Sequence, residues 1–400
     1  MSTGHSHTIP APPPPFVPSR TIKTFYAVCI FLGIILFALG LIKDPQRAWA
    51  SFLTSYFYFV ALGIGGLFFT ALQHAANAGW SVVIRRFSEA MASYLPIAAA
   101  TTVILLFGMH HLYEWMNPDV VAHDPILLGK SSYLNVPFFI VRLAVFFGAW
   151  ILFYRLMIGH SVQQDKDGNE NHTVRNYALG IGFILVFAIS YSLFSVDTLM
   201  SLQPHWYSTI WGVYCFAGMF QASIAVMVII TGYMIRKGYA RGWVNVEHLH
   251  DLAKYMKAFT IFYAYIGFSQ FLLIWYANLP EETIFYLARS SGGWMAATIA
   301  LFIFKFLVPF LLLLPRAAKR SVAHTTLVAC LILAMEYIDI HWMVYPNFSE
   351  TWIFSWYEIG TFMMFLGLFI WSVTNFLSKN NIVPIKDPRL PESLEHQVIY

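Results

Sequence analysis

Ten runs of mostly apolar residues, most about twenty long, recur along the chain. They fall at 23–42, 52–73, 93–112, 134–158, 175–195, 208–235, 253–277, 294–314, 321–342 and 354–377. A helix needs about 20 such residues to cross the hydrocarbon core of a bilayer. Backbone groups left unpaired in lipid are too costly, so each run reads as a helix. Only 11% of the 400 residues are charged, against roughly a quarter in soluble domains. That leaves too little polar surface to face water, and the chain reads as an all-α polytopic membrane protein with ten transmembrane helices. A net charge of +4 gives no reason to expect a nucleic-acid partner.

Lysine and arginine are unevenly shared between the two sets of loops. With an even number of spans, Arg20, Lys23, Arg85, Arg86, Arg236, Lys237, Arg316 and Lys379 fall on the side of both termini, while the other side keeps only Lys43, Arg47, Lys130 and Arg289. Both termini are therefore expected in the cytoplasm. Residues 1–22, with Pro12 to Pro15 in a row, read as a flexible tail that carries His5 and His7. Residues 378–400 read as a second cytoplasmic tail. The start of the chain lacks a signal-peptide pattern. Cys29, Cys215 and Cys330 are isolated within apolar runs, so no iron–sulfur cluster or c-type haem is expected on this chain, and no metal.

Polar residues inside such a chain call for a reason. The hairpin between the fifth and sixth runs holds Asp197, Ser201, His205 and Tyr207. Tyr207, Tyr214 and Gln221 follow at seven-residue intervals, and Tyr265, Ser269 and Tyr276 share a face of the seventh run. This pattern fits either helix–helix hydrogen bonding or a lined cavity. Arg142 and Lys305 are the deep cations of the fourth and eighth runs. Glu336 and Asp339, three apart on the ninth, point one way, beside a Tyr337–His341 stripe. This group reads as a buried ion pair that sets helix register, or as a proton relay or substrate site. His110 ends the third run, and His110 or His111 with His341 is a conceivable haem pair. His248 and Asp251, at the start of the seventh run, read as a solvated amphipathic turn capped by Asn245, with a metal pair as the alternative.

Two stretches are distinctive. The run VDTLMSLQPHWYSTIWGVY, Val196 to Tyr214, and the run AYIGFSQFLLIWYANLPEET, Ala264 to Thr283, resemble an integral subunit of bacterial alternative complex III. That subunit belongs to the NrfD-like family of polysulfide reductase membrane anchors, and the chain is similar to the shorter of the complex's two such subunits. The resemblance implies two four-helix bundles, about 52–195 and 208–342, with one flanking helix at each end. It also implies a bacterial cytoplasmic membrane and a quinol:electron-acceptor oxidoreductase, with menaquinone as the quinone. Implied partners are the sibling NrfD-like subunit, an iron–sulfur subunit, multihaem and monohaem c-type cytochromes, small helical subunits, a terminal oxidase and lipid. The clusters and haems would sit in those partners.

On this reading Asp197, His205, Tyr207, Ser201, His110 and Arg142 are candidates for a quinone site at the outer mouth. Glu336, Asp339, His341, Lys305, Tyr214 and Tyr265 are candidates for a proton path. A docking subunit with a vestigial site is the second reading, and a transporter the third.

Overall fold

The computed structural model describes residues 11–397, so His5 and His7 lie outside the described residues. No strand occurs among the described residues. Ten helices among the described residues are long and apolar enough to cross a membrane. They are α1 (Arg20–Lys43), α2 (Pro45–Ala75), α3 in two pieces (Val82–Ala92 and Leu95–Leu106), α4 (Val136–Asp167), α5 (Asn171–Thr198), α6 (Trp211–Arg236), α7 (Val246–Ala277), α8 (from Trp294 to Leu312), α9 (Val322–Val344) and α10 (Trp356–Lys379).

Capping chemistry moves several helix starts outward from the apolar runs. Asp44 accepts the Arg47 N–H at 3.1 Å with Pro45 at the first helical position, so α2 begins seven residues before its apolar run at 52. Asn245 caps α7 and His248 returns a bond to its backbone, a reciprocal box. Ser355 and Glu358 form the same device at α10. Pro96 has no N–H to offer the carbonyl of Ala92, and α3 breaks there into its two pieces.

Helix α2 is the hub. Every residue from Ala48 to Ala71 is buried. It packs against α3 and α5 on one side, α6 and α9 on another, and α10 and α1 on a third. Helices α2–α5 form one four-helix group and α6–α9 a second, joined along α2 and α6. The terminal helices α1 and α10 run together as a pair.

Close backbone approach at glycines makes that pair. A Cβ on Gly33 would stand 2.5 Å from the Met364 nitrogen, and one on Gly367 would stand 2.7 Å from the Tyr26 carbonyl. Small residues at such seams are how helices associate in lipid. Gly33→Ala is therefore expected to cost about 1–3 kcal/mol by overpacking. Gly148→Ala is the control, because a Cβ at Gly148 meets nothing within 4 Å. Thermal unfolding in detergent separates them, and equal midpoints would contradict the seam.

The tails and the basic loops differ from the sequence reading. Residues 11–19 are not loose where they are described: Phe16 is buried, and Ala11 accepts from Trp243 Nε1 at 3.2 Å. The C-terminal segment folds back over the basic face. Asp387 pairs with Arg85, the Ile385 N–H reaches Asp165 at 3.0 Å, and His396 reaches Asp251 at 2.6 Å. Arg85 and Arg86 are thus not loop residues. They are buried in α3, with Arg86 on Glu89 at 2.6 Å and on Asp165 at 2.7 Å. Likewise His248 is not solvated. It is buried beneath Ser393, whose carbonyl lies 3.0 Å from its Nε2.

Candidate functional site

Span α8 carries the most unusual backbone in the membrane, and a proline accounts for it. Pro309 cannot donate to the carbonyl of Lys305 four residues earlier. The helix widens to a π-turn over Leu301–Leu307, and Gln221 of α6 donates to the freed Lys305 carbonyl at 3.3 Å. Such bulges commonly mark functional positions. Here the bulge sits where the Lys305 ammonium meets two carboxylates of α9, Glu336 at 2.6 Å and Asp339 at 2.5 Å. Tyr214 donates to the free oxygen of Asp339 at 2.7 Å, and its hydroxyl meets that of Tyr263 at 2.9 Å. The Tyr263 ring lies 3.8 Å beneath the ammonium. All five side chains are buried. Gly218 of α6 makes room for Glu336, since a Cβ there would stand 2.9 Å from its Oε1.

The first bundle holds a simpler arrangement. Arg142 of α4 makes a two-pronged bond to Asp197 of α5, Nε to Oδ2 at 2.8 Å and Nη2 to Oδ1 at 3.1 Å. Its third nitrogen donates to the Tyr133 carbonyl at 2.9 Å, and the Tyr133 ring covers the guanidinium at 3.9 Å. Ser201 donates to the Asp197 carbonyl at 2.5 Å, a bond within its own turn. In both bundles the cation comes from the third helix and the carboxylate from the fourth.

The hairpin does not bring its acid and its imidazole together. Asp197 points inward to Arg142, while His205 points outward to Asp124 of the preceding outer loop, at 2.5 Å. Lys130 of that loop reaches the Pro204 carbonyl at 2.5 Å and stands 5.9 Å from the Tyr207 ring. Tyr207 is exposed and precedes the start of α6, so it does not share the Tyr214 face.

The Asp124 carboxyl is held below its ordinary range, first by the His205 hydrogen bond and then by the Leu127 and Ile126 N–H groups. A depressed carboxyl stabilises the fold above its unfolded pKa of about 3.9, and that contribution is lost as pH falls through the folded value. The protection factors of amides 118–130 against hydrogen exchange, taken relative to the intrinsic rate at each pH, are therefore expected to fall on acidification below about pH 4. Asp124→Asn should abolish that pH dependence, and an unaltered profile in the variant would contradict the clasp.

Other candidates are placed elsewhere. His110 is exposed, and its ring lies tilted against that of His111 at 3.9 Å. His341 is enclosed by Trp294, Tyr345, Trp352 and Phe354, so the two are not brought face to face. Tyr337 faces α2 and α10 instead of Lys305, while His341 stays within its aromatic enclosure. Tyr337 bonds Ser55 at 3.1 Å, and nearby Glu358 takes Arg47 at 3.1 Å and Tyr345 at 2.5 Å. Tyr265 and Tyr276 point out of the bundle, 64% and 84% exposed. The inward stripe of α7 is Tyr263, Ile266, Gln270 and Ile274.

That inward stripe borders a cavity of 790 Å³ between α7 and α8. Its walls are mainly apolar, and its polar lining includes Tyr214, Tyr263, Gln270, Tyr286 and Arg289. Gln270 is buried and its Oε1 makes no hydrogen bond. Arg289 donates to the carbonyls of Trp342, Met343 and Phe285, at 2.8–3.0 Å. The first two lie at the negative end of α9. Burial pushes the Arg289 guanidinium down to about 9, still charged at neutral pH.

The chain matches no family model and no curated protein. What the site can do rests on its own chemistry. With both acids ionised, Lys305, Glu336 and Asp339 carry one surplus negative charge in a medium that penalises it. The cluster is balanced when one carboxyl holds a proton. Arg142 and Asp197 balance each other without one. Sequence reasoning passed over Tyr263, Glu358 and Glu89; for Tyr263 the available signal was its place four residues C-terminal to Phe259 on the face that meets α6.

Proposed function

We propose that the chain is an integral subunit of a quinol:electron-acceptor oxidoreductase of the alternative complex III kind, where it handles protons beside a membrane quinone. The observation that carries this reading is the buried Lys305–Glu336–Asp339 cluster, linked through Tyr214 and Tyr263 to a cavity that opens among lipid-facing helices. A quinol gives up two protons with its two electrons, so an acceptor must lie within hydrogen-bond reach. The cavity suits a long apolar molecule with a polar head: its walls are apolar, and the Gln270 Oε1 is an acceptor that a quinol hydroxyl would satisfy. In this reading the chain sits in a bacterial cytoplasmic membrane with both termini in the cytoplasm, as its basic face supports. Menaquinol is the substrate, and iron–sulfur and haem c proteins are the partners that take the electrons.

The test is quinol oxidation and proton release by the assembled complex with Glu336→Gln or Asp197→Asn. Glu336→Gln is expected to slow turnover about 100-fold, the usual worth of a positioned proton acceptor. Unchanged oxidation and release would contradict the reading.

A docking subunit is the second reading, and one observation favours it for the first bundle. Both carboxylate oxygens of Asp197 are taken by Arg142, and neither large cavity is lined by Asp197. Under it, Asp197→Asn loosens the subunit and leaves turnover intact.

A further inference from the structure

A second cavity, 1080 Å³, lies on the other side of the molecule, between the α1–α10 pair and helices α2, α6 and α9. It runs the depth of the bundle, from Phe16, Thr21 and Tyr233 at the basic face to Trp352 and Glu358 at the opposite one. The lining is almost wholly carbon, with no polar group aimed at a ligand's middle. The basic mouth is built by two segments that hold each other. The Phe16 ring meets Tyr239 edge-on at 5.3 Å, and the Tyr239 hydroxyl lies 3.4 Å from the Val17 carbonyl.

Exposed cations flank this mouth. Arg20 and Lys23 adjoin the lining residues Thr21 and Ile22 on α1, and Arg236 and Lys237 follow the lining residues Tyr233 and Met234 on α6. No acid occurs in residues 11–43 or in 198–246, so nothing in these two segments neutralises them. The opposite mouth differs: its acid, Glu358, is buried and already paired with Arg47.

We propose that this groove is a binding site for an anionic phospholipid. Two acyl chains fill the carbon-lined cleft, and the phosphate rests among Arg20, Lys23, Arg236 and Lys237. Basic clusters at the mouths of clefts between membrane helices attract anionic headgroups in this way. The apolar cleft supplies chain contacts that do not discriminate between headgroups, so the four cations set the selectivity. The lipid would bridge the terminal helix pair to the second bundle, across a gap that protein side chains leave open. The site is independent of the quinol reading.

Cys330 gives a direct readout. It lines the groove and is exposed, while Cys29 and Cys215 are buried. Full-length protein in detergent is treated with N-ethylmaleimide, with phosphatidylglycerol or phosphatidylcholine of matched chains added. Phosphatidylglycerol is expected to slow Cys330 labelling about tenfold more than phosphatidylcholine does. The Arg20→Gln, Lys23→Gln, Arg236→Gln, Lys237→Gln variant changes only exposed side chains, and it should level the two lipids while still folding. Equal protection by both lipids in the wild type would overturn the proposal, as would undiminished selectivity in the variant. Protection in native membranes that persists after lipid exchange would also overturn it, assigning the groove to a partner helix.

Discussion

Lys305→Met is expected to destabilise the protein by about 3–5 kcal/mol, the cost of removing one partner from a buried ion cluster. The variant leaves Glu336 and Asp339 facing one another without a cation, in a site where all three groups are buried. It also strips the ammonium from the face of Tyr263. Removing all three charges is a different experiment. Buried ion groups replaced by apolar residues of similar size are often neutral or better for stability. The triple variant Lys305→Met, Glu336→Leu, Asp339→Leu should therefore recover most of what the single variant loses, short of the acceptor that Tyr214 loses. Thermal unfolding of the purified chain, single against triple, reads this directly. If the single variant matched the wild type, the cluster would not be a closed electrostatic unit. If the triple variant were fully stable yet inactive in the assembled complex, the charges would be there for function.

Arg142→Met is expected to cost a similar amount, about 3–5 kcal/mol, for a related reason with a different remedy. Asp197 has no second cation to turn to, and both its oxygens lose their donors at once. The Tyr133 carbonyl loses its donor as well. Arg142→Lys should fall between wild type and Met, because an ammonium supplies charge without the planar fork. The paired change Arg142→Met, Asp197→Leu should restore stability, and because this pair is neutral without an added proton it should do so with little effect on proton release. A loss of proton release as deep as that of Glu336→Gln would move the proton path into the first bundle. The two experiments separate a pair that fixes two helices from a cluster with a proton to spare.

The membrane spans were legible because apolar runs of the right length admit few alternatives. Their edges were less so. Arg85 and Arg86 looked like loop residues, since nothing local in the chain reveals that Asp165 and Asp387, far apart in sequence, arrive to neutralise them. Glu336 and Asp339 declared themselves by their spacing, and Lys305 was one of two cations deep enough to meet them. Which cation met which acid was a tertiary fact. On α7 the reading favoured the wrong face. Tyr265, Ser269 and Tyr276 have helical spacing, but so do Tyr263, Ile266, Gln270 and Ile274. In a bilayer an aromatic stripe suits the lipid side as well as the core, so periodicity alone does not choose. The hairpin misled in a similar way. Asp197 and His205 are eight residues apart, yet the chain turns between them, sending one inward to Arg142 and the other outward to Asp124. The π-turn has its cause in Pro309, but no sequence pattern shows that Gln221 takes the freed Lys305 carbonyl.

The Lys305 cluster is balanced by one exchangeable proton shared between its two carboxyls. Infrared spectroscopy of the carboxyl C=O stretch, in H₂O and in D₂O, reports this directly. A protonated carboxyl band is expected at neutral pH that shifts in D₂O and is lost in the Glu336→Gln, Asp339→Asn double variant, while Arg142→Met, Asp197→Leu leaves it in place. Two ionised carboxylates in the wild type, with no band for the double variant to remove, would contradict it and leave the cluster a static ion bridge.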